Sequence, residues 1–81
     1  MIHPALVPHA DLLVTVGDPK SSRMLDRPRR VRVRWRTYGG DEVTLELEQA
    51  AAARDVVCVR QDRGMPDPWN AWVPAALVEP I

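Results

Sequence analysis

The chain has 81 residues, 46% hydrophobic and 27% charged, a composition typical of one folded domain with a modest core. Its 11 basic and 11 acidic side chains cancel, which excludes a global field that would draw it to nucleic acid or an anionic membrane. Cys58 is the single cysteine, which excludes an internal disulfide framework and favours a reducing, cytoplasmic location.

Residues 1–10 are predicted to form an extended N-terminal arm, because Pro4 and Pro8 each remove a backbone donor and disfavour helix before them. No segment approaches the roughly 20 apolar residues that span a bilayer. We therefore expect a cytoplasmic protein with no membrane partner, whose single domain covers residues 11–81. Abundant Arg, Ala, Val and Pro beside the single Lys20 indicate a GC-rich bacterial genome, or a phage or plasmid of such a host.

The first predicted strand is residues 11–16, an apolar and β-branched run that ends at a Gly-Asp-Pro turn signal. Residues 17–29 are predicted to be a long polar connection, in which Met24 and Leu25 are the only apolar side chains besides the prolines. Connections of this length are uncommon in compact domains and are enriched in binding loops. This one is interpreted either as a packed loop held by Met24 and Leu25 or as a loop that contacts a partner.

Residues 30–36 alternate arginine with valine or tryptophan, and residues 42–48 alternate glutamate or threonine with valine or leucine. A period of two is typical of strands with one buried face, and the Gly39-Gly40 pair between them predicts a β-hairpin. A register in which facing positions sum to 80 brings the two apolar faces together across a short loop. A sum of 78 is the acceptable alternative, whereas 79 would set arginine against valine.

The rest of the chain predicts short elements. Residues 49–54 are strong helix formers and predict one short helical turn. Further along, the sequence predicts a buried strand at 55–60, a loop at 62–68, a strand at Trp72-Val73, a tight turn at 74–77 and a last pairing segment at Val78-Glu79. The predicted fold class is therefore all-β, a small half-open barrel of five strands with one helical turn near 49–54.

The run from Trp72 to Pro80 resembles the closing signature of Src-homology-3-type barrels. In that signature a strand ends at a proline, here Pro74, one tight helical turn follows, and a valine, here Val78, opens the last strand. The resemblance implies a Src-homology-3-like small β-barrel. The family binds proline-rich ligands with aromatic side chains that include a tyrosine of the closing turn. Leu77 stands in that place here, so the resemblance implies the fold and not that activity.

The arginine-rich strand 27–36 would project a row of cations from one sheet face. The row consists of Arg30, Arg32, Arg34 and Arg36, extended by Arg27 and Arg29. One interpretation is a nucleic-acid-binding face, with Trp35 or Tyr38 near for base stacking. The other is structural, because Glu42, Glu46 and Glu48 on the facing strand would form cross-strand ion pairs with the arginines.

Trp69 lies in a proline-bounded segment together with Met65, and is interpreted either as a partner contact or as a cap on the end of the barrel. The possible soft metal ligands are His3, His9 and Cys58. They lack the paired spacing of a zinc site, so we expect no metal, no other cofactor and no small-molecule substrate. Cys58 is predicted to be a small core residue.

These patterns supply no catalytic constellation, so we expect no enzyme. The leading hypothesis is a non-enzymatic protein-interaction module or small accessory subunit, which binds a protein partner or a second copy of itself. Its candidate partner-binding residues are Trp69, Met65, Met24 and Leu25. The alternative is a nucleic-acid-binding accessory protein that uses Arg30, Arg32, Arg34, Arg36 and Tyr38.

Overall fold

The computed structural model describes residues 10–17, 19–62 and 68–81. It contains five β-strands, β1 Arg23–Arg36, β2 Glu42–Ala52, β3 Val56–Gln61, β4 Trp69–Pro74 and β5 Val78–Pro80. A 3₁₀ turn at Ala75–Leu77 separates β4 from β5. Over these described residues the chain contains no helix with the length and apolar character needed to cross a membrane.

All five strands belong to one antiparallel sheet in the order β4-β3-β2-β1-β5. The outer strands β4 and β5 follow each other in the chain, so the 3₁₀ turn joins the two edges of a sheet that curls without closing. Pro74 and Pro80 lie on these edge strands, where a missing backbone N–H interrupts no central ladder. The architecture is a half-open barrel, which confirms the predicted all-β class.

The β1–β2 hairpin has the alternative register. Trp35 faces Val43 and Arg32 faces Glu46, so facing positions sum to 78, and the preferred sum of 80 was wrong. The connection therefore covers residues 37–41, in which Thr37 N–H donates to the Asp41 carbonyl at 2.9 Å. Both even sums keep valine and leucine on one face, and the closing bonds of the longer loop decide between them.

The predicted alternation is confirmed, because Val31 and Val33 are buried while Arg30, Arg32 and Arg34 are exposed. The core lies inside the curl of the sheet and draws its buried residues from β1, β3, β4 and the segment before β1. Its buried members are Leu13, Val31, Val33, Val57, Val59, Ala71 and Val73. The half-buried indoles of Trp35 and Trp69 pack against this cluster.

The helical turn predicted near 49–54 is wrong, because β2 continues as a strand to Ala52. Ala51 and Ala52 pair with β1 on one side and with β3 on the other. Two flanking strands supply more hydrogen bonds than one isolated turn, and this tertiary pairing overrides the helix propensity of alanine. The irregularity in this stretch is a bulge at Ala50 against β3.

The long connection predicted over 17–29 is shorter than expected, because β1 already begins at Arg23. The β1–β2 ladder is interrupted between Met24 and Arg29, and Pro28, which cannot donate a ladder hydrogen bond, lies in that gap. Residues 23–29 are charged and irregularly paired, so they lack the alternation of apolar and polar side chains by which a strand is predicted from sequence. Of the predicted arm at 1–10, residues 1–9 lie outside the described residues.

The first strand predicted at 11–16 is also wrong, because only Leu13 forms a bridge there, to Thr37. Residues 10–16, which we call the strap, cross the end of the barrel from β1 to β4. Val14 N–H donates to the Arg36 carbonyl at 3.0 Å, and Val16 N–H donates to the Trp72 carbonyl at 2.9 Å. The backbone hydrogen bonds of the strap go to residues 36–39 from its first part and to Trp72 from its end. They form no continuous ladder with one strand, but they connect the strap to the end of β1 and to β4.

The later elements confirm the two predicted strands, the tight turn and the last pairing segment. The strand predicted at 55–60 is β3, and Trp72-Val73 lies within the longer β4. The tight turn at 74–77 is the 3₁₀ turn, and Val78-Glu79 opens β5, which pairs with Val31, Arg32 and Val33 of β1. Residues 63–67 of the predicted 62–68 loop lie outside the described residues.

Candidate functional site

The arginines of β1 lie on the outer face of the sheet, because their alternation with buried Val31 and Val33 leaves them no position inside the barrel. Glutamates of both neighbouring strands lie on the same face. Arg32 faces Glu46 of β2 on one side and Glu79 of β5 on the other. We call this surface the arginine face.

Of Arg30, Arg32, Arg34 and Arg36, the first three form ion pairs with glutamates. Arg32 lies 3.7 Å from Glu46 and 3.5 Å from Glu79, and Arg30 lies 3.9 Å from Glu46. Arg34 donates its Nε–H to Glu42 at 3.2 Å. The paired side chains remain 44% to 70% exposed, so each pair contributes only about 0–1 kcal/mol to stability. Their main effect is to neutralise this part of the arginine face.

Arg36 is different. Within the described ranges it has no carboxylate at ion-pair distance. Its guanidinium carbon lies 4.9 Å from the centre of the Trp35 ring, a cation–π arrangement. The indole is itself fixed, because Trp35 Nε1–H donates to the Val14 carbonyl of the strap at 2.8 Å. Of Arg30, Arg32, Arg34 and Arg36, the one without a carboxylate partner in the described residues is therefore held by an anchored aromatic ring.

A groove of about 470 Å³ opens beside this stacked pair. It is lined by Arg34, Trp35, Arg36, Gly40, Glu42 and Leu77. A second depression of about 240 Å³ shares Arg34 and Leu77 with the first. The two depressions follow the arginine face along the 3₁₀ turn, so we describe them together as the groove. Leu77 is 40% exposed, which makes it the main apolar contact that the groove offers to solvent.

An aromatic pair closes the end of the barrel at the strap. The rings of Tyr38 and Trp69 meet edge to face, with centroids 6.1 Å apart and an interplanar angle of 79°. Trp69 Nε1–H donates to the Leu13 carbonyl at 2.9 Å, and the Tyr38 hydroxyl accepts from Thr15 N–H at 3.3 Å. Both polar groups therefore hold the strap, and Trp69 is half-buried in the position of a cap.

Of the four candidate partner-binding residues, the three that the structure describes do not form one surface. Met24 and Leu25 lie at the start of β1, separated from Trp69 on β4 by β2 and β3. Met24 is 69% exposed and Leu25 is half-buried, while Met65 lies outside the described residues. In the alternative set Arg30, Arg32, Arg34 and Arg36 share one face, whereas Tyr38 lies in the hairpin loop with its ring against Trp69.

Sequence reasoning missed Leu77 and Glu79, which line the groove along the arginine face. A signal for Leu77 exists, because it stands in the closing turn where the resembled family has a site tyrosine. Glu79 could have been found only from the pairing of β5 with β1, which places it opposite Arg32. No local sequence pattern indicates such a long-range register.

Of the possible metal ligands, Cys58 lies within the described residues. Cys58 is buried in β3 as predicted, and His3 and His9 lie outside the described residues. Over residues 10–17, 19–62 and 68–81 there is no group of three or more His, Cys, Asp or Glu side chains that could hold a metal ion.

Comparison of the chain with models of protein families, with curated proteins and with solved structures found no match.

Proposed function

We propose that this chain is a non-enzymatic interaction module that binds a segment of a partner protein in the groove beside the arginine face. The observation that carries the proposal is the change in character along this surface. Arg30, Arg32 and Arg34 are matched by glutamates, whereas the groove beyond them presents the stacked Arg36 and the exposed Leu77. A neutralised face beside an amphipathic depression favours a protein over a polyanion.

The composition of the groove supports this proposal. Arginine and tryptophan are enriched among the residues that dominate protein interfaces, and such anchors are surrounded by polar side chains at the rim. Here Trp35 and Leu77 supply apolar surface, and Arg34, Arg36 and Glu42 supply charged groups around it. The charged groups are exposed and paired or stacked, which is an arrangement for recognition and not for proton transfer.

We further propose that the barrel is Src-homology-3-like. The support is the 3₁₀ turn at Ala75–Leu77, which follows Pro74 and interrupts the path from β4 to β5. Leu77 of that turn borders the groove, at the place where the resembled family has a ligand-binding tyrosine. A leucine there offers aliphatic surface without a hydroxyl, which suits a ligand with an aliphatic side chain.

Site-specific photo-crosslinking tests the proposed function. A benzophenone amino acid replaces Leu77 in one variant and the exposed Asn70 of β4 in a control variant, which lies away from the groove. We expect position 77 to crosslink a defined protein segment in cells that produce the chain, while position 70 does not. Crosslinks of equal yield at both positions, or none at position 77, contradict the proposal. A crosslink between two copies of this chain identifies the partner as the protein itself.

Nucleic-acid binding is the second candidate, favoured by one observation. Three arginines of the strand 27–36 have no ion-pair partner among the described residues, namely Arg27, Arg29 and Arg36. If they contact phosphates, fluorescence anisotropy with labelled single- and double-stranded oligonucleotides will show binding that weakens steeply with salt. The double variant Arg32→Ala, Arg34→Ala will reduce it further. No anisotropy change at low salt excludes this candidate.

A further inference from the structure

On the basis of the proposed function, we propose that the partner segment carries one carboxylate next to an aliphatic side chain. The carboxylate pairs with Arg36, assisted by Arg34, and the aliphatic side chain packs on Leu77. The structure assigns these roles through the charges, the stacking and the exposure of the residues that line the groove.

Arg36 is prepared to bind a carboxylate. The guanidinium carbon of Arg36 lies 4.9 Å from the centre of the Trp35 ring, and within the described residues no hydrogen bond or ion pair uses its N–H groups. These donors are therefore able to bind a ligand. A planar arginine fork matches the two oxygens of a carboxylate and binds them with two parallel hydrogen bonds. Because the ring already restricts the side chain, less conformational entropy is lost when the ligand arrives.

The charge balance of the groove limits the ligand to one anion. Arg32, Arg34 and Arg36 bring three cations to the lining, and Glu42 and Glu79 bring two carboxylates, which pair with Arg34 and Arg32. One positive charge is left in excess, so a single carboxylate complements the groove. A phosphate backbone would continue along the arginine face, where it would meet Glu46 and Glu79 and be repelled.

Leu77 determines the apolar half of the ligand. It borders both depressions of the groove and is 40% exposed, although it belongs to the turn that joins two core strands. Burying its exposed surface under an aliphatic side chain adds an apolar contact at the centre of the site. The ligand class is therefore an acidic–aliphatic peptide segment.

Titration of the ¹⁵N-labelled protein with short peptides tests this inference. The probe is acetyl-Gly-Leu-Glu-Leu-Gly-amide, and the matched control peptide has Gln in place of Glu. We expect the Glu peptide to shift the amide signals of Arg34, Arg36 and Leu77. The Gln peptide should bind about tenfold more weakly, because it lacks the charge-assisted pair. Equal affinities for the two peptides, signal shifts confined to other residues, or no binding at all overturn the inference.

Variants assign the roles within the site. Arg36→Gln should abolish the preference for the Glu peptide, and Arg36→Lys, which keeps the charge without the planar fork, should retain part of it. Leu77→Ser should weaken both peptides alike. The control is Arg60→Gln, an exposed arginine of β3 that does not line the groove and should bind as the parent does. An Arg36→Gln variant that still prefers the Glu peptide contradicts the assignment.

The crosslinking experiment separates the failure of this inference from failure of the proposed function. A partner segment that crosslinks at position 77, contains no carboxylate and is unaffected by Arg36→Gln leaves the interaction module standing but removes the ligand class. No protein crosslink at position 77 removes the proposed function itself. A stronger shift of the same amides by an oligonucleotide of either strandedness removes the inference in favour of nucleic acid.

Discussion

Gln61 is the residue on which the attachment of the strap to β3 depends. Its side-chain oxygen accepts from Leu13 N–H at 3.0 Å, and its side-chain nitrogen donates to the Asp11 carbonyl at 3.0 Å. Leu13 is fully buried, so loss of this acceptor leaves a backbone donor without a partner. We expect Gln61→Leu to lower the free energy of unfolding by about 1–3 kcal/mol in a urea titration.

Two comparison variants make the Gln61 prediction specific. Gln61→Glu keeps the acceptor for Leu13 but turns a negative oxygen toward the Asp11 carbonyl, so its loss of stability should be intermediate. Asn70→Ala, at an exposed position of β4, should change the unfolding free energy by less than about 0.5 kcal/mol. If Gln61→Leu proves as harmless as Asn70→Ala, the strap is not held by this side chain.

The two glycines of the hairpin loop have different roles. Gly40 has a φ of +93°, which an L side chain adopts poorly, and open space surrounds it. Gly39 approaches the strap so closely that an added Cβ would lie 3.0 Å from the Ala10 Cβ and carbonyl oxygen. We expect Gly40→Ala to lower stability by about 1–2 kcal/mol through backbone strain alone.

Hydrogen exchange distinguishes the two glycine variants. Gly39→Ala should in addition speed exchange at its own amide, because the bond from Gly39 N–H to the Ala10 carbonyl at 2.9 Å must lengthen. Gly40→Ala should leave that exchange rate unchanged when corrected for global stability. The same acceleration in both variants would mean that the loop and the strap respond as one unit.

Among elements, the strap contributes to the core although it is not a strand. Leu12 and Leu13 are as deeply buried as the valines of β1. We expect Leu13→Ala to lower the unfolding free energy by about 2–5 kcal/mol, as for other fully buried leucines. The matched control is Leu77→Ala on the 3₁₀ turn, whose exposed side chain should contribute less than about 1 kcal/mol. Equal effects in denaturant titrations would contradict the burial of the strap.

The elements differ in how far the sequence determined them. Strict alternation was enough to predict β1 from residue 30 onward and the first part of β2. One buried sheet face requires an apolar side chain at every second residue and so determines which side chains point inward. Ala51 and Ala52 were misassigned, since their strand pairing depends on two neighbours that no local pattern reveals. The strap was misassigned for the opposite reason, because its β-branched content is typical of a strand but its bonds go to two strands in turn.

The candidate site was predicted only in part. The arginine face and its glutamates follow from alternation, and so does their mutual neutralisation. The distinction between Arg36 and the other arginines does not, because Glu42, which faces Arg36 across the ladder, pairs instead with Arg34, and Arg36 lies against the ring of Trp35. Which cation remains available for a ligand is therefore a property of the tertiary structure.

At the scale of the whole molecule, charge contributes little to stability. Net charge is zero, and the observed ion pairs lie at exposed positions. We expect the free energy of unfolding to change by less than about 1 kcal/mol when NaCl rises from about 0.1 M to about 1 M. Denaturant titrations at the two salt concentrations measure it. A much larger loss at high salt would mean that the arginine face holds the barrel together.

The strap also fixes an order of events during synthesis. The indole of Trp69 and the backbone of Trp72 bond to strap residues that precede them by 56 and 57 positions. At about 5–20 residues per second, a ribosome needs several seconds to make the chain between them. Throughout that interval Leu12 and Leu13 have no β4 to cover them. The nascent chain therefore exposes these two buried leucines until β4, whose Trp69 and Trp72 bond to the strap, has been made.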